Sequence, residues 1–218
     1  VEEVRRLVEE FQIEALAVCF LNSYINNHHE ERVTEILAEA FPDLMVSLSS
    51  RVNPTFREYE RVCATAFDAY VRPKVEHYVK QLEGGLAHEG EGARLHLMQS
   101  GGGIASADMT VAKPVSMFLS GPAAGVIATR YVGEMSGRGD LVGFDVGGTS
   151  TDVCLIRDGK AQITREGRIG NYPLRVPMVD MDTVGSGGGS IAWIDEAGGL
   201  HVGPESAGSH PGPACYGR

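Results

Sequence analysis

Asp145 is the residue in this chain whose neighbours most directly suggest chemistry. It follows an apolar run, residues 141–144, and precedes Gly147 and Gly148, then the hydroxyls of Thr149, Ser150 and Thr151. After Asp152 a second apolar run covers residues 153–156. The pattern reads as strand, tight glycine turn, strand, with an acid at the end of the first strand. Glycines permit positive φ and let backbone N–H groups approach an anion. Hydroxyls add neutral donors for phosphate oxygens. A carboxylate at that place can hold a hydrated Mg²⁺ or orient a water beside a phosphate. The same residues also suit an ordinary glycine hairpin whose acid faces solvent.

Two other phosphate-binding patterns are excluded. No GxxxxGK[ST] occurs and the turn carries no lysine, so this is not a P-loop. The dinucleotide fingerprint needs a helix after its turn, whereas a strand-like run follows here. A D-x-G-G-T hairpin instead resembles the phosphate-binding hairpin of the actin, sugar-kinase and Hsp70 ATPase superfamily.

Other glycine-rich segments offer further candidates. Gly185, Gly187, Gly188 and Gly189 follow Asp180 and Asp182 and directly precede the apolar piece 191–194. Such a run allows close approach of backbone to a nucleotide phosphate or a planar substrate. Its place before a strand argues for an ordered loop rather than a linker. Residues 119–125 either offer a helix N-terminus to an anion or let another backbone lie against the helix, and the two are compatible. Residues 99–103 read as a strand-to-loop turn, with a crevice wall as the alternative.

The remaining polar residues point to structure more than to a site. His28 and His29 are adjacent, and His77, His88 and His96 have no partner at metal-ligand spacing. His201 and His210 lie in the glycine-rich tail, from which they could approach a substrate. Arg57, Glu58, Glu60 and Arg61 read as a solvated salt-bridge face. Cys19, Cys63, Cys154 and Cys215 form no C-x-x-C pair, and Cys19 and Cys154 read as buried thiols. A reduced, cytoplasmic setting follows.

These candidates must be positioned by 218 residues that are 43% hydrophobic, enough for one large domain or two smaller units. The formal charge of −10 argues against non-specific nucleic-acid binding. No apolar run approaches a bilayer-spanning length, and no secretory signal pattern opens the chain. With no initial Met and no terminating element, the sequence reads as part of a longer polypeptide. Helical periodicity marks residues 1–11 and 30–40, with strands at 15–20 and 44–48, the order of a parallel α/β sheet. Residues 55–82 form a long helix that Pro73 kinks or divides. Residues 84–92 read as a surface loop, 95–98 as a strand, and 120–129 as a helix that Ser120 caps. Asp158-Gly159 signals a turn, so that three antiparallel strands meander from residue 141 to 164.

Four segments together carry a family resemblance: LSGPAAGVIA (119–128), GFDVGGTSTDV (143–153), TVGSGGGSIAWID (183–195) and VGPESAGSHPGPACYGR (202–218). With the upstream REYERVCATAFDAYVRP (57–73), they are similar to the hydantoinase A / 5-oxoprolinase family and its acetone and acetophenone carboxylase relatives. The resemblance implies an actin-like, ribonuclease-H-like ATPase fold with ATP and Mg²⁺ bound between two related halves. Residues 1–138 would complete the first half, and 139–218 would begin the second. One phosphate hairpin would lie upstream and the adenosine-contacting region downstream. Asp145 would position a magnesium-bound water or nucleophile. Gly147, Gly148, Thr149 and, less centrally, Ser150 would cradle phosphates, with Gly185, Gly187, Gly188 and Gly189 as a facing nucleotide loop and Asp182 beside it. The implied reaction is ATP-dependent opening of a hydantoin or 5-oxoproline ring through a phosphorylated carbonyl oxygen. The alternatives are a ketone carboxylase subunit and a non-catalytic nucleotide-binding module. A hydantoinase B-like partner subunit and an oligomer are also implied.

Overall fold

The computed structural model describes residues 1–89 and 94–217. Residues 90–92 of the expected loop, and Arg218 at the end of the fourth family segment, lie outside them. The chain forms two compact units, Val1–Ser120 with Thr164–Met178, and Gly121–Ile163 with Val179–Arg218.

The first unit opens with α1 (Glu2–Phe11), β1 (Ala15–Val18), α2 (His28–Ala40) and β2 (Met45–Leu48). β1 and β2 pair in parallel, from Ala15 opposite Met45 to Val18 opposite Leu48, as the α/β alternation predicts. Val18, Leu37 and Leu48 form the core beneath them, with Val4, Val33 and Phe41 packed around it. The short α3 (Ser49–Val52) leads to α4 (Glu58–Glu89), which runs through Pro73 rather than ending there. Arg72 helps hold that region, because its guanidinium bonds Asp68 and the carbonyls of Val111 and Ala112. Gly84 and Gly85, expected in a loop, belong to α4. Two glycines cost a helix about 2 kcal/mol relative to alanine, too little to stop one anchored elsewhere by buried Ala64, Ala69 and Val79.

β3 (His96–Met98) and β4 (Ile104–Ser106) form an antiparallel hairpin, so residues 99–103 are its turn. α5 (Ala107–Ala112) follows, capped by the Ser106 hydroxyl. α6 (Ser120–Met135), β5 (Leu141–Val146), β6 (Thr151–Arg157) and β7 (Lys160–Ala161) begin the second unit. The helix starts at Ser120 itself, which places that residue in the first turn rather than before it. β8 (Ile163–Thr164) leads into the paired β9 (Gly167–Ile169) and β10 (Tyr172–Leu174) of the first unit, where Leu174, Val176 and Met178 pack with Val52, Ala64 and Val115. β11 (Met178–Val179) leads out to β12 (Met181–Val184), β13 (Ser190–Ile194) and β14 (Leu200–Ser206).

The second unit is built on an antiparallel sheet ordered β12-β6-β5. The expected meander is only partly realised. Asp158 (φ 50°) and Gly159 (φ 69°) make the turn, but β7 pairs with β6 over just two residues. β12, which the sequence reading leaves as the approach to a loop, takes most of that edge through four pairs with β6. Ala123 and Val126 of α6 cover one face of this sheet, against Cys154, Ile156 and Met181. Burial pushes the Cys154 thiol up. Cys63 is likewise buried, whereas Cys19, expected inside, is half-buried. No described helix is long and apolar enough to cross a membrane.

One expectation fails in an instructive way. Arg61 is not on a solvated face; it is 0% exposed. Its guanidinium bonds Ser49 Oγ at 3.1 Å, Thr55 O at 2.8 Å and Phe20 O at 2.7 Å. Ser49 Oγ in turn donates at 2.6 Å to Glu30, whose carboxylate also accepts the N–H groups of Phe20 and Ser50. Burial alone would push the Glu30 carboxyl up, but these hydrogen bonds from Ser49, Ser50 and Phe20 outweigh it and hold it below its ordinary value. Sequence periodicity could not distinguish this buried Arg from its exposed neighbours, because its partners lie 12 and 41 residues away.

A carboxyl depressed in the folded state stabilises it above the unfolded value, about 4.3 for Glu, and ceases to do so as pH falls through the folded value. Glu30→Gln is therefore expected to lose about 1–3 kcal/mol at pH 7, with the gap to wild type narrowing below about pH 4. Denaturant unfolding at a series of pH values measures this. A gap that stays constant into acid would contradict an ionised, hydrogen-bonded Glu30.

Candidate functional site

The hairpin between β5 and β6 has a four-residue tip, Gly147 to Ser150, closed by the Gly147 N–H on Ser150 O at 2.8 Å. Its strands pair Val146 with Thr151 and Asp145 with Asp152. β12 adds Thr183 opposite Asp152. Residues directly opposite in an antiparallel ladder share a face, so Asp145, Asp152 and Thr183 form one row across the sheet. One layer further from the tip, Gly143, Cys154 and Met181 form the next row of the same face. The face therefore passes from an apolar core to an acidic mouth within two residues. Thr183 Oγ1 donates to Asp152 Oδ1 at 2.6 Å, which fixes the second acid.

Two glycines bring α6 close to this face. A Cβ on Gly143 would meet Cys154 Sγ at 2.5 Å and Thr129 Oγ1 at 2.9 Å. A Cβ on Gly125 would stand 3.1 Å from Asp145 Oδ2. Within residues 119–125, then, Gly125 admits the Asp145 side chain rather than another backbone, and Gly121 has nothing within 4 Å of a Cβ position. A narrow crevice remains between helix and sheet, bordered by Pro122, Gly125, Phe144, Asp145 and Asp152 among others.

The second glycine run does not stand apart from the hairpin. It packs directly on it, backbone to backbone. Gly188 N–H donates to Gly147 O at 2.9 Å and Gly189 N–H to Gly148 O at 2.7 Å. Thr151 Oγ1 donates to Ser186 O at 2.7 Å, and Gly187 N–H is taken by Ser190 Oγ. A Cβ on Gly187 would lie 2.6 Å from Gly147 O, 2.7 Å from Ser150 N and 2.8 Å from Thr149 N. The loop is ordered because its N–H groups are used by the hairpin. Gly185, by contrast, has nothing within 4 Å of a Cβ position.

What the tip leaves free is chemically useful. The N–H groups of Gly148, Thr149 and Ser150, and the Thr149 and Ser150 hydroxyls, make no hydrogen bond among the described residues. Gly147, Gly148 and Thr149 are exposed and Ser150 is half-buried. Several neutral donors thus lie within a few residues of an exposed carboxylate, a set of groups suited to an oxyanion and its cation. Among the described residues no group of three His, Cys, Asp or Glu could hold a metal by itself. A cation at Asp145 would need its other ligands from phosphate and water, which is the usual habit of Mg²⁺.

The sequence reading missed β14, and with it the setting of His201. That residue is on a strand rather than in a mobile tail. It stacks on Trp193, its cross-strand partner, with ring centroids 4.6 Å apart, and bonds Asp195 at 2.6 Å. The His201 bond, then the backbone N–H groups of the turn, hold the Asp195 carboxyl below its ordinary value. The β-branched and aromatic run Ile191, Trp193 and Ile194, with Ile191 and Trp193 two residues apart, is the available signal for a paired strand. The proline and glycine around His201 obscured its mate.

Comparison with known proteins extends this picture. The Hydantoinase/oxoprolinase family matches residues 61–218, and the N-terminal region of the same family matches residues 1–41. The chain is 35% identical over 209 residues to caprolactamase subunit alpha of Pseudomonas jessenii, covering 96% of this chain and 30% of the relative. It is 37% identical over 208 residues to 5-oxoprolinase of Saccharomyces cerevisiae, covering 94% of this chain and 16% of that one. It is 36% identical over 226 residues to the acetophenone carboxylase gamma subunit of Aromatoleum aromaticum, covering 99% and 30% respectively. The crystal structure of the ATP-dependent caprolactamase of P. jessenii superposes with a TM-score of 0.81 at 32% identity, over 99% of this chain and 31% of that one. The mixed α/β architecture is therefore that of known enzymes, and the chain spans a third or less of the length of these relatives.

The packing of Gly187 leads to a stability prediction. Gly187→Ala must displace three backbone atoms of the hairpin tip and is expected to cost about 1–3 kcal/mol. Gly185→Ala, in open space, should change stability by no more than about 0.5 kcal/mol. Denaturant unfolding of both variants checks the contrast, and equal effects would show that the loop does not brace the tip.

Proposed function

We propose that this chain, which belongs to the hydantoinase/oxoprolinase family, supplies one side of the nucleotide site of an ATP-dependent cyclic-amide hydrolase. The observation that carries the reading is the tip 147–150: unused N–H and hydroxyl donors beside Asp145, on a hairpin braced from behind by a second glycine loop. The relatives named caprolactamase and 5-oxoprolinase support the substrate class.

In this reading the chain carries the end of one actin-like half, residues 1–138, and the start of the next, residues 139–218. Gly147, Gly148, Thr149 and Ser150 bind phosphate oxygens through backbone N–H and hydroxyl groups. Asp145 positions either a water ligand of Mg²⁺ or the nucleophile. Gly185 stands at the edge of the site, whereas Gly187, Gly188 and Gly189 act by holding the tip in place. Asp182, on β12, pairs with Val153 of β6 and serves the strand. Bound ATP supplies the phosphoryl group that makes a poorly electrophilic lactam carbonyl open to water. Donors fixed before reaction stabilise charge developing on a transferred phosphoryl without reorganisation. The upstream hairpin and the adenosine contacts belong to parts of the protein beyond this chain. A hydantoinase B-like partner subunit fits the relatives that are named as subunits. A cytoplasmic setting agrees with four free cysteines.

A second reading is a ketone carboxylase subunit, favoured by 36% identity to the acetophenone carboxylase subunit, equal within a point to the lactam-acting relatives. Phosphate release from ATP by the full-length protein separates the two. Stimulation by caprolactam, hydantoin or 5-oxoproline with ring opening is expected. Stimulation only by acetone or acetophenone with bicarbonate would replace the first reading by the second. Asp145→Asn should lower ATP-coupled turnover by at least about a hundredfold with little change in stability. Wild-type turnover in that variant would remove Asp145 from the site.

A further inference from the structure

The geometry points to Gly125 as a positioning residue for Asp145, setting where its carboxylate stands by having no side chain of its own. This rests on the proposed role of Asp145.

Gly125 lies in the second turn of α6, on the side that packs against the sheet. A Cβ there would be 3.1 Å from Asp145 Oδ2, 3.9 Å from its Cγ and 4.0 Å from its Cβ. Carbon and carboxylate oxygen do not rest comfortably at the first of these distances, so one of them must yield by a few tenths of an ångström. The helix cannot yield easily. Its neighbouring residues Ala123 and Val126 are 0% and 4% exposed in the core, and Thr129, one turn on, holds the Gly125 carbonyl at 2.9 Å. Gly143 fixes the same helix against the strand two residues before Asp145, where added bulk would strike Thr129 and Cys154. The exposed carboxylate turns on two side-chain bonds and is the part that moves. It cannot move freely toward β6 either, because Asp152 is directly opposite and carries the same charge. The acid is thus confined between a glycine and a like charge.

This makes stability and activity respond in opposite senses. Alanine is the better helix former, so Gly125→Ala should leave the melting temperature unchanged or higher. The same substitution shifts a group that must be placed to within a fraction of an ångström, so kcat should fall about tenfold. A glycine needed only for packing would lower the melting temperature and kcat together. Gly121, in the same helix, has nothing within 4 Å of its Cβ position and provides the matched control.

The test compares Gly125→Ala, Gly121→Ala and Asp145→Asn in the full-length protein, by steady-state ATP turnover, thermal unfolding, and the crystal structure of Gly125→Ala without nucleotide. The expected result is a roughly tenfold fall in kcat for Gly125→Ala with a melting temperature at or above wild type, a displaced Asp145 carboxylate, and wild-type behaviour in Gly121→Ala. Unchanged turnover or an undisplaced carboxylate in Gly125→Ala, while Asp145→Asn is inactive, overturns the inference and leaves the role of Asp145 standing. An equal loss in Gly121→Ala, or a loss that follows a lowered melting temperature, also overturns it. Wild-type turnover in Asp145→Asn overturns the role of Asp145 and the inference with it.

Discussion

The second unit depends on contact between two backbones with no side chain between them. Gly187 lies against the tip of the Gly147–Ser150 hairpin so closely that a methyl group would come within 2.8 Å of three of its main-chain atoms. Hydrogen bonds from Gly188 and Gly189 to the carbonyls of Gly147 and Gly148 lock the two segments. With those two carbonyls occupied, and Ser150 O taken by the Gly147 N–H, Thr149 O is the tip carbonyl that has no hydrogen bond among the described residues. A loop held this way is ordered before any ligand arrives. That is the physical requirement for stabilising an anion without reorganisation.

The same unit shows a conflict between local stability and chemistry. The face that buries Ile156 and Cys154 against α6 continues two residues later into Asp145 opposite Asp152. Like charges directly across a ladder destabilise a sheet, and here no basic residue from the same three strands relieves them. Local rules are commonly broken where function needs the exception. The first unit handles its buried charge differently. Glu30 and Arg61 share Ser49, and both also bond the main chain, Glu30 the N–H groups of Phe20 and Ser50 and Arg61 the carbonyls of Phe20 and Thr55. That network pairs each buried charge with several hydrogen bonds and extends through Ser49 to the Ser23 hydroxyl. In the second unit Asp145 is exposed, while Asp152 is half-buried and bonded by Thr183.

Local pattern was sufficient for much of this molecule. Alternating helix and strand in residues 1–48 announced the parallel pair β1 and β2. Asp158-Gly159 announced its turn because few residue pairs adopt positive φ in succession. The glycines between two apolar runs announced the hairpin of β5 and β6. The long family segments added what local pattern could not, the kinship with ATP-dependent enzymes.

Long-range contact decided the rest. No periodicity in the sequence says that Arg61 is buried, that β12 rather than β7 takes the edge of β6, or that α4 continues through Pro73 and Gly84. Each depends on partners remote in the chain, and burial and pairing energies there exceed the local preferences of about 1–3 kcal/mol that a sequence reading weighs. The sequence by itself determined which atoms could bind a phosphate. Only the tertiary structure decided that Gly187 braces the tip and that Gly125 lies against Asp145, because a glycine's significance is the neighbour it admits, and that neighbour is chosen by the fold.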